Sequence, residues 1–212
     1  MKLTITDDSG KPLNGGFYHP EISDWVPKGL HLENSYLDRF SPNKKSFMET
    51  GTYKGETVAQ MLDYGFEFVR SCDLSMSNLE DQFRDRIKDL VVIGESPECI
   101  PVFLAELKQK FPDPKDQEAT FWLDAHASGD IPGGKYGGSP VLAELEAIAL
   151  DPIKTHTIFI DDRRLFGSAE WSFVSEEDAI KLLLKINPDY KIRYLDGHGP
   201  DDVIVASVYD NG

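Results

Sequence analysis

The residues from Phe47 to Thr57 constrain the fold of this chain more than any other segment. They read FMETGTYKGET, in which a short apolar run ends in an acidic residue and two glycines lead into a helical pattern. This order is typical of a strand, a tight turn and a helix in an α/β sheet that binds a nucleotide-like ligand. Gly51 would permit the tight turn, and Gly55 would let the helix begin close to the ligand.

The acidic residue at the end of this strand, Glu49, narrows the class of ligand. A helix N-terminus favours anions, so a phosphate group bound there would be repelled by a neighbouring carboxylate. A ligand with positive charge, such as a sulfonium or an ammonium group, would instead be attracted. The segment therefore favours S-adenosylmethionine over a dinucleotide.

Strand-like and helical segments alternate along the chain. The predicted strands are Ser46–Glu49, Phe66–Ser71, Leu90–Ile93, Ala119–Leu123, Thr155–Ile160, Tyr190–Leu195 and Val203–Val208. The predicted helices are Gly55–Tyr64, Ser77–Ile87, Pro101–Phe111, Val141–Leu150 and Glu176–Ile186. This pattern predicts a Rossmann-like doubly wound α/β sheet of seven mostly parallel strands, with an antiparallel C-terminal strand and helices on both faces. We expect an N-terminal cover segment, 1–45, and a ligand-binding region, 46–212, in a single globular domain.

Polar residues follow five of the predicted strands. They are Glu49, Asp73, Glu95 with Ser96, Asp124 with His126, and the pair Asp161 and Asp162. Because the carboxyl ends of parallel strands share one edge of a sheet, we expect these residues to converge on a ligand crevice. Asp73 follows Gly51 by 22 residues, close to the offset of about 20 at which an acid reaches ribose hydroxyls. Capping of the next helix is the alternative for Asp73.

The segment Glu49–Thr57 resembles the Glu-x-Gly-x-Tyr-x-Gly-x-Ser/Thr loop of catechol-type O-methyltransferases, which belong to the class I S-adenosylmethionine-dependent methyltransferases. The resemblance covers roughly residues 46–210 and implies methyl transfer to a hydroxyl group, with S-adenosylmethionine as the cofactor. The cofactor contacts that we expect are Glu49, Gly51, Thr52, Tyr53, Gly55, Thr57, Asp73, Glu95, Ser96 and Asp124. Ser96 and Glu95 would lie beside the adenine, with loop capping as the alternative.

Metal-dependent members of that group carry an aspartate after the fourth strand and an acidic pair after the fifth. Asp124, Asp161 and Asp162 occupy these positions, so the resemblance implies that they hold Mg²⁺ or another divalent cation. Three carboxylates at one edge raise each other's pKa unless a cation neutralises them, and oxygen ligands suit Mg²⁺. The alternative is that these acids cap turns and bind backbone.

The catechol enzymes place a lysine base three residues after the strand-4 aspartate, where this chain has Ala127. His126 is therefore the candidate general base, with Asp124 as the other catalytic residue. A packed or capping histidine is the alternative. We interpret the glycine-rich loop 128–140 as a lid, with an ordinary exposed connection as the alternative. Candidate residues for the acceptor pocket, which are equally typical of a core, are Trp25, Tyr36 and Trp171.

The charge balance restricts the partners. With 37 acidic and 22 basic residues and a net charge of −15, neither nucleic acid nor an anionic membrane surface is an expected partner. No apolar run approaches the roughly 20 residues that span a bilayer. With no secretory signal at the N-terminus and two cysteines, a cytoplasmic location is expected. The expected acceptor is a small molecule or a glycan, and the oligomeric state is left open.

Two other functions fit parts of the pattern. A nicotinamide-dependent oxidoreductase would share the glycine turn and the ribose-binding acid, but Gly-x-Gly-x-x-Gly is absent and Glu49 stands where a pyrophosphate would approach. A catalytically silent cofactor-binding protein would share the fold, since a fold alone does not establish activity.

Overall fold

A computed structural model describes residues 32–127 and 134–211. In these ranges seven strands form one sheet: β1 (Ser46–Thr50), β2 (Phe68–Asp73), β3 (Val91–Ile93), β4 (Ala119–Leu123), β5 (Thr157–Ile160), β6 (Lys191–Leu195) and β7 (Val203–Ser207). The α-helices are α1 (Asn34–Phe40), α2 (Glu56–Tyr64), α3 (Asp81–Ile87), α4 (Ser96–Lys110), α5 (Val141–Ala149) and α6 (Glu176–Ile186). Trp25, most of the predicted cover segment and positions 128–133 of the glycine-rich loop lie outside the described residues.

The strand order is β3-β2-β1-β4-β5-β7-β6. Strands β1 to β5 pair in parallel, and β7 runs antiparallel to both β5 and β6. The predicted fold class, with its antiparallel C-terminal strand, is confirmed. The chain reverses its direction of travel across the sheet between β1 and β4, and ligands bind outside the carboxyl ends of the strands at such a switch point.

Helices cover both faces of the sheet. Consecutive residues of β1 point to opposite sides, so that Met48 packs in a core with α4, α5 and α6, while Phe47 packs in a second core with α1, α2 and α3. Every residue of β1, β4, β5 and β7 is buried. Burial on both faces explains why β4, β5 and β7 read as nearly continuous apolar runs, whereas β1 also buries Ser46, Glu49 and Thr50.

Helix α4 begins earlier than its apolar pattern predicts. It starts at Ser96 rather than at Pro101, and Pro97 occupies its first turn, where the missing N–H costs nothing. Pro101 lies inside the helix and removes one backbone hydrogen bond, while the neighbouring Ile100 and Phe103 are fully buried. Because of this earlier start, Ser96 is the first residue of α4 at the candidate site, whereas the sequence placed it in a loop.

The described end of the predicted cover segment contributes to a core. Leu37 and Phe40 of α1 are fully buried against the face of the sheet that α2 covers. Gln60 of α2 donates a hydrogen bond to the carbonyl oxygen of Leu32 at 3.1 Å. The division at residue 45 stays a prediction. Among the described residues, no helix combines the length and the apolar character needed to cross a bilayer.

Candidate functional site

The turn after β1 meets the end of β4 at the switch point. The amide of Gly51 donates to the carbonyl oxygen of Cys72 at 2.8 Å, and the amide of Asp124 donates to the carbonyl oxygen of Thr50 at 3.1 Å. Gly51 has φ +84°, and a Cβ there would lie 2.8 Å from the carbonyl carbon of Asp124. Both the left-handed backbone and the close approach of the two loops therefore require glycine at this position.

Glu49 lies beneath this turn, with 2% of its surface exposed. The hydroxyl of Ser71 donates to its carboxylate at 2.6 Å, and the hydroxyls of Ser71 and Thr52 lie 2.7 Å apart. Burial is the main reason that the pKa of Glu49 rises to about 8, although hydrogen bonds from Ser71 and Thr57 oppose this. The sequence thus predicted the position of the acid, whereas its hydroxyl partners Ser71 and Thr57 follow from the packing of β2 and α2.

Asp73 fastens the turn to the end of β2. One oxygen of its carboxylate accepts from the amide of Tyr53 at 2.8 Å, and the other accepts from the amide of Ser75 at 3.1 Å. Tyr53 has φ +45° and a half-exposed side chain. Asp73 therefore lies against the predicted cofactor loop and has a positioning role there, while its contact with a ribose stays a prediction.

Gly55 is constrained by packing on the side where a Cβ would lie. It precedes α2 with φ +87°, and a Cβ there would lie 2.6 Å from Cδ1 of Leu79 and still closer to the side chain of Ile87. This glycine therefore lets α2 approach α3, and its contact with a cofactor stays a prediction.

The two residues predicted beside the adenine have partners of their own. The carboxylate of Glu95 accepts from the backbone amide of Lys135 at 2.9 Å. The hydroxyl of Ser96 is buried and binds the carboxylate of Glu144. Glu95 thereby fixes the described end of the glycine-rich loop, and adenine binding by either residue stays a prediction.

Three polar side chains form a tight cluster at the ends of β4 and β5. Nε2 of His126 lies 2.7 Å from a carboxylate oxygen of Asp162 and 3.4 Å from a carboxylate oxygen of Asp124. Nδ1 of His126 lies 2.8 Å from the carbonyl oxygen of Ala127. Both ring nitrogens are thus engaged, as expected for an imidazolium between two acids.

This surrounding makes His126 a poor general base. Burial lowers its pKa, but hydrogen bonds to Asp124 and Asp162 outweigh burial and raise the pKa to about 11. A histidine that holds its proton at neutral pH cannot accept another from a substrate. The sequence identified the residue, but the two carboxylates that enclose it alter its chemistry.

The cluster contains His126 in place of Asp161, which the sequence predicts as a metal ligand. Among the described residues, potential ligand atoms of Asp124, His126 and Asp162 lie within 4.8 Å of one another. Asp161 is buried nearby, and it raises the pKa of Asp124, which burial above all brings to about 7. The cluster fits a divalent cation in the number and spacing of its atoms once His126 loses its proton. With one imidazole and two carboxylates it suits Mn²⁺ or Zn²⁺ better than the expected Mg²⁺.

Asp162 also belongs to an ion-pair network. Arg164 contacts both Asp162 and the buried Asp202, and the amide of Arg164 donates to Asp202 at 3.0 Å. Arg163 pairs with Glu176 at 2.9 Å. Although burial opposes it, the pairing with His126 and Arg164 lowers the pKa of Asp162. The two arginines thus offset acidic charge within the fold.

The described part of the glycine-rich loop is tied down at several points. The amide of Ala127 donates to the carbonyl oxygen of Gly138 at 2.8 Å, and the amide of Gly138 donates to the hydroxyl of Ser172 at 3.0 Å. The side chain of Lys135 pairs with Glu98. The predicted lid therefore has a fixed base at 134–138, while 128–133 lie outside the described residues.

The sequence interpretation missed a buried acid on α5. Glu144 is 1% exposed and binds the hydroxyls of Thr50 and Ser96. Burial is the main reason that its pKa rises to about 7. Its position was visible in the helical periodicity, because Val141, Leu145 and Ile148 place this residue on the apolar face of α5.

Known proteins resemble this chain only in backbone arrangement. Comparison with models of protein families finds no match, and comparison with curated proteins finds none either. A SAM dependent methyltransferase from Archaeoglobus fulgidus aligns over 82% of this chain and 90% of its own, with 14% identity and a TM-score of 0.49. The PH0226 protein from Pyrococcus horikoshii OT3 aligns over 86% and 88%, with 12% identity and a TM-score of 0.47.

A third solved structure, spermidine synthase from Thermotoga maritima, aligns over 79% of this chain and 55% of its own, with 12% identity and a TM-score of 0.46. These values describe distant similarity of the fold, and no conclusion about activity follows from them. The function has to be inferred from the residues of the site itself.

Proposed function

We propose that this protein is an S-adenosylmethionine-dependent methyltransferase that methylates a hydroxyl group of a sugar, a glycan or another small molecule. The observation that carries the proposal is the arrangement at the switch point between β1 and β4. There Glu49 lies beneath the Gly51 turn, Asp73 holds that turn, and Asp124 lies on its other side. Acidic groups around a glycine turn suit a cofactor whose sulfonium and ammonium groups are positive.

In the proposed reaction, the side chains of the protein need to supply little chemistry of their own. The bond between sulfur and the methyl carbon breaks as the bond between that carbon and the acceptor oxygen forms, and the hydroxyl proton leaves to solvent. Since the sulfonium is already a good leaving group, the residues of the site act mainly by alignment. The Gly51 turn and Asp73 would hold the cofactor, and the cluster around Asp124 would face the acceptor.

Cofactor binding is the first test. Isothermal titration calorimetry with S-adenosylhomocysteine should give saturable binding to the wild type, with at least tenfold weaker binding to Glu49→Gln. Since the pKa of free Glu49 is raised to about 8 and an ammonium group favours its ionised form, binding at pH 7 should release a proton. Affinity should therefore rise with pH up to about 8.

Proton release is measured by repeating the titration in buffers of different ionisation enthalpy, and Glu49→Gln should abolish it. Glu56→Gln, at the start of α2, is the matched control and should behave as the wild type. Binding of NAD instead of S-adenosylhomocysteine would favour the oxidoreductase alternative. Binding without turnover of any hydroxyl acceptor would indicate a silent cofactor-binding protein.

The proposal includes a divalent cation held by Asp124, His126 and Asp162. When bound, such an ion would stabilise the acceptor oxygen as it loses its proton. The spacing of the three groups supports this part of the proposal. Asp162, which Arg164 also contacts, would keep the cluster in place.

The two neighbouring aspartates allow a sharp test of the metal site. Calorimetric titration with Mn²⁺ should give one site in the wild type, and Asp162→Asn should weaken binding at least tenfold. Asp161→Asn should bind Mn²⁺ nearly as the wild type does, because its carboxylate lies outside the cluster. The reverse result would favour the all-carboxylate set that the sequence predicts. Absence of binding would reject the metal and leave methyl transfer open.

A further inference from the structure

Two buried polar atoms beside the candidate site have no hydrogen-bond partner among the described residues. They are Oε1 of Glu144 and Nε1 of Trp171. Glu144 is 1% exposed and Trp171 is 2% exposed. A buried donor or acceptor without a partner destabilises the folded protein, so an incoming ligand group that pairs with both atoms would be favoured.

Both residues line one narrow cleft. Asp124, His126 and Ser139 line the same cleft, which has no space for a water molecule in this structure. The ring of Trp171 packs against His126 at 5.5 Å between centroids. The cleft thus adjoins the residues that would face the acceptor.

The chemistry of the two atoms selects the group that fits them. The carboxylate oxygen of Glu144 accepts a hydrogen bond, and the indole N–H of Trp171 donates one. A hydroxyl group can donate to the first and accept from the second. An ammonium group has no lone pair for the indole, and a carboxylate has no proton for Glu144.

We propose that Glu144 and Trp171 form the subsite that receives the hydroxyl group of the acceptor. This inference rests on the proposed methyl transfer and specifies the acceptor as an alcohol. The carboxyl group of Glu144 also has hydrogen bonds with the hydroxyls of Thr50 and Ser96, so the position of the subsite is tied to the end of β1 and the start of α4. Because the cleft has no space for a water molecule in this structure, entry of the hydroxyl requires the side chains that line it to move apart.

Methanol is the smallest probe for such a subsite. The indole N–H signal of Trp171 can be followed in ¹⁵N–¹H spectra and assigned by its loss in Trp171→Phe. Titration with methanol should shift this signal saturably, both with and without S-adenosylhomocysteine. Acetonitrile, which can only accept, should bind at least about fivefold more weakly, as expected for loss of one hydrogen bond.

Substitution of the acid tests the pairing. Glu144→Gln keeps an oxygen for Thr50 and Ser96 but presents an amide donor to the cleft, so methanol affinity should fall about fivefold. The matched control is Glu146→Gln, an exposed acid on the same helix, which should bind methanol as the wild type does. If Glu144→Gln fails to fold, Glu144→Asp supplies the second variant. It withdraws the carboxylate by one methylene group and should also weaken the methanol response of the Trp171 signal.

Three results would overturn the proposal: a Trp171 signal that ignores methanol, a Glu144→Gln protein that binds methanol as tightly as the wild type, or acetonitrile binding as tight as that of methanol. The test does not depend on cofactor binding. If S-adenosylhomocysteine fails to bind while methanol shifts Trp171, the proposed function fails and the hydroxyl subsite stands. If the cofactor binds and Trp171 does not respond, only the subsite fails.

Discussion

Replacing Gly51 with alanine is expected to lower the free energy of unfolding by about 3 kcal/mol and to abolish measurable binding of S-adenosylhomocysteine. The φ of +84° at Gly51 is strained for any residue with a Cβ, and the new methyl group would press against the backbone carbonyl of Asp124. Backbone cannot move aside as a flexible side chain can. The loops at the ends of β1 and β4 must therefore separate, and this distorts the candidate cofactor site.

Gly65 provides a control for the strain alone. It ends α2 with φ +102°, and a Cβ there would meet no atom within 4 Å. Gly65→Ala should therefore cost only about 1 kcal/mol and leave cofactor binding unchanged. Urea denaturation and calorimetry measure both quantities. Equal losses of stability in the two variants would show that the contact between the loops is unimportant.

Replacing Asp124 with asparagine is expected to reduce methyl transfer by about 100-fold while making the protein more stable at pH 8. Asp124 lies against the Gly51 turn through its backbone and pairs with His126 through its side chain. Loss of its charge would remove an electrostatic contact at the proposed acceptor site and weaken the proposed cation site. Asp162 still holds His126 at 2.7 Å, so the local fold should survive.

The gain in stability follows from the pKa of Asp124. Burial, and after it the charge of Asp161, raise this pKa to about 7, against about 3.9 in an unfolded chain. The folded state therefore binds the proton more tightly. The contribution of Asp124 to stability is present below pH of about 3.9 and is lost as the pH rises through about 7. Asparagine cannot ionise and avoids this loss.

Thermal unfolding in the presence of a chelator measures the effect. The Tm of Asp124→Asn should exceed that of the wild type at pH 8, and the difference should shrink at pH 5. Asp81→Asn is the control, because the Asp81 side chain is fully exposed. A lower Tm at pH 8 with normal turnover would contradict both the electrostatic account and the catalytic role.

The sequence predicted most of the fold because the buried strands read as short apolar runs and the helices between them carry a periodic apolar pattern. β4 and α6 have the predicted bounds. The polar residues of the candidate site were identified from the predicted ends of the strands. The start of α4 was missed because the helix runs through Pro101, which is usually a boundary. Packing of Phe103 and its neighbours overrides that local preference.

The site was only partly predictable. Glu49, Asp73, Asp124 and His126 were identified because each lies at or just after the C-terminal end of a strand, and this depends on local pattern. The role of His126 depends on Asp162, which lies 36 residues away in the sequence and 2.7 Å away in space. No local pattern encodes that contact.

By itself the sequence determined the layered sheet and the edge at which polar side chains gather, because hydrophobic periodicity and turn residues act over short stretches of chain. Only the tertiary structure decided which of those side chains touch. It places Asp162 rather than Asp161 beside His126, packs α3 against Gly55, and brings Glu144 into contact with Thr50. The physical reason is that burial and pairing depend on contacts between distant segments, and these contacts determine which groups hold protons and which remain free to bind.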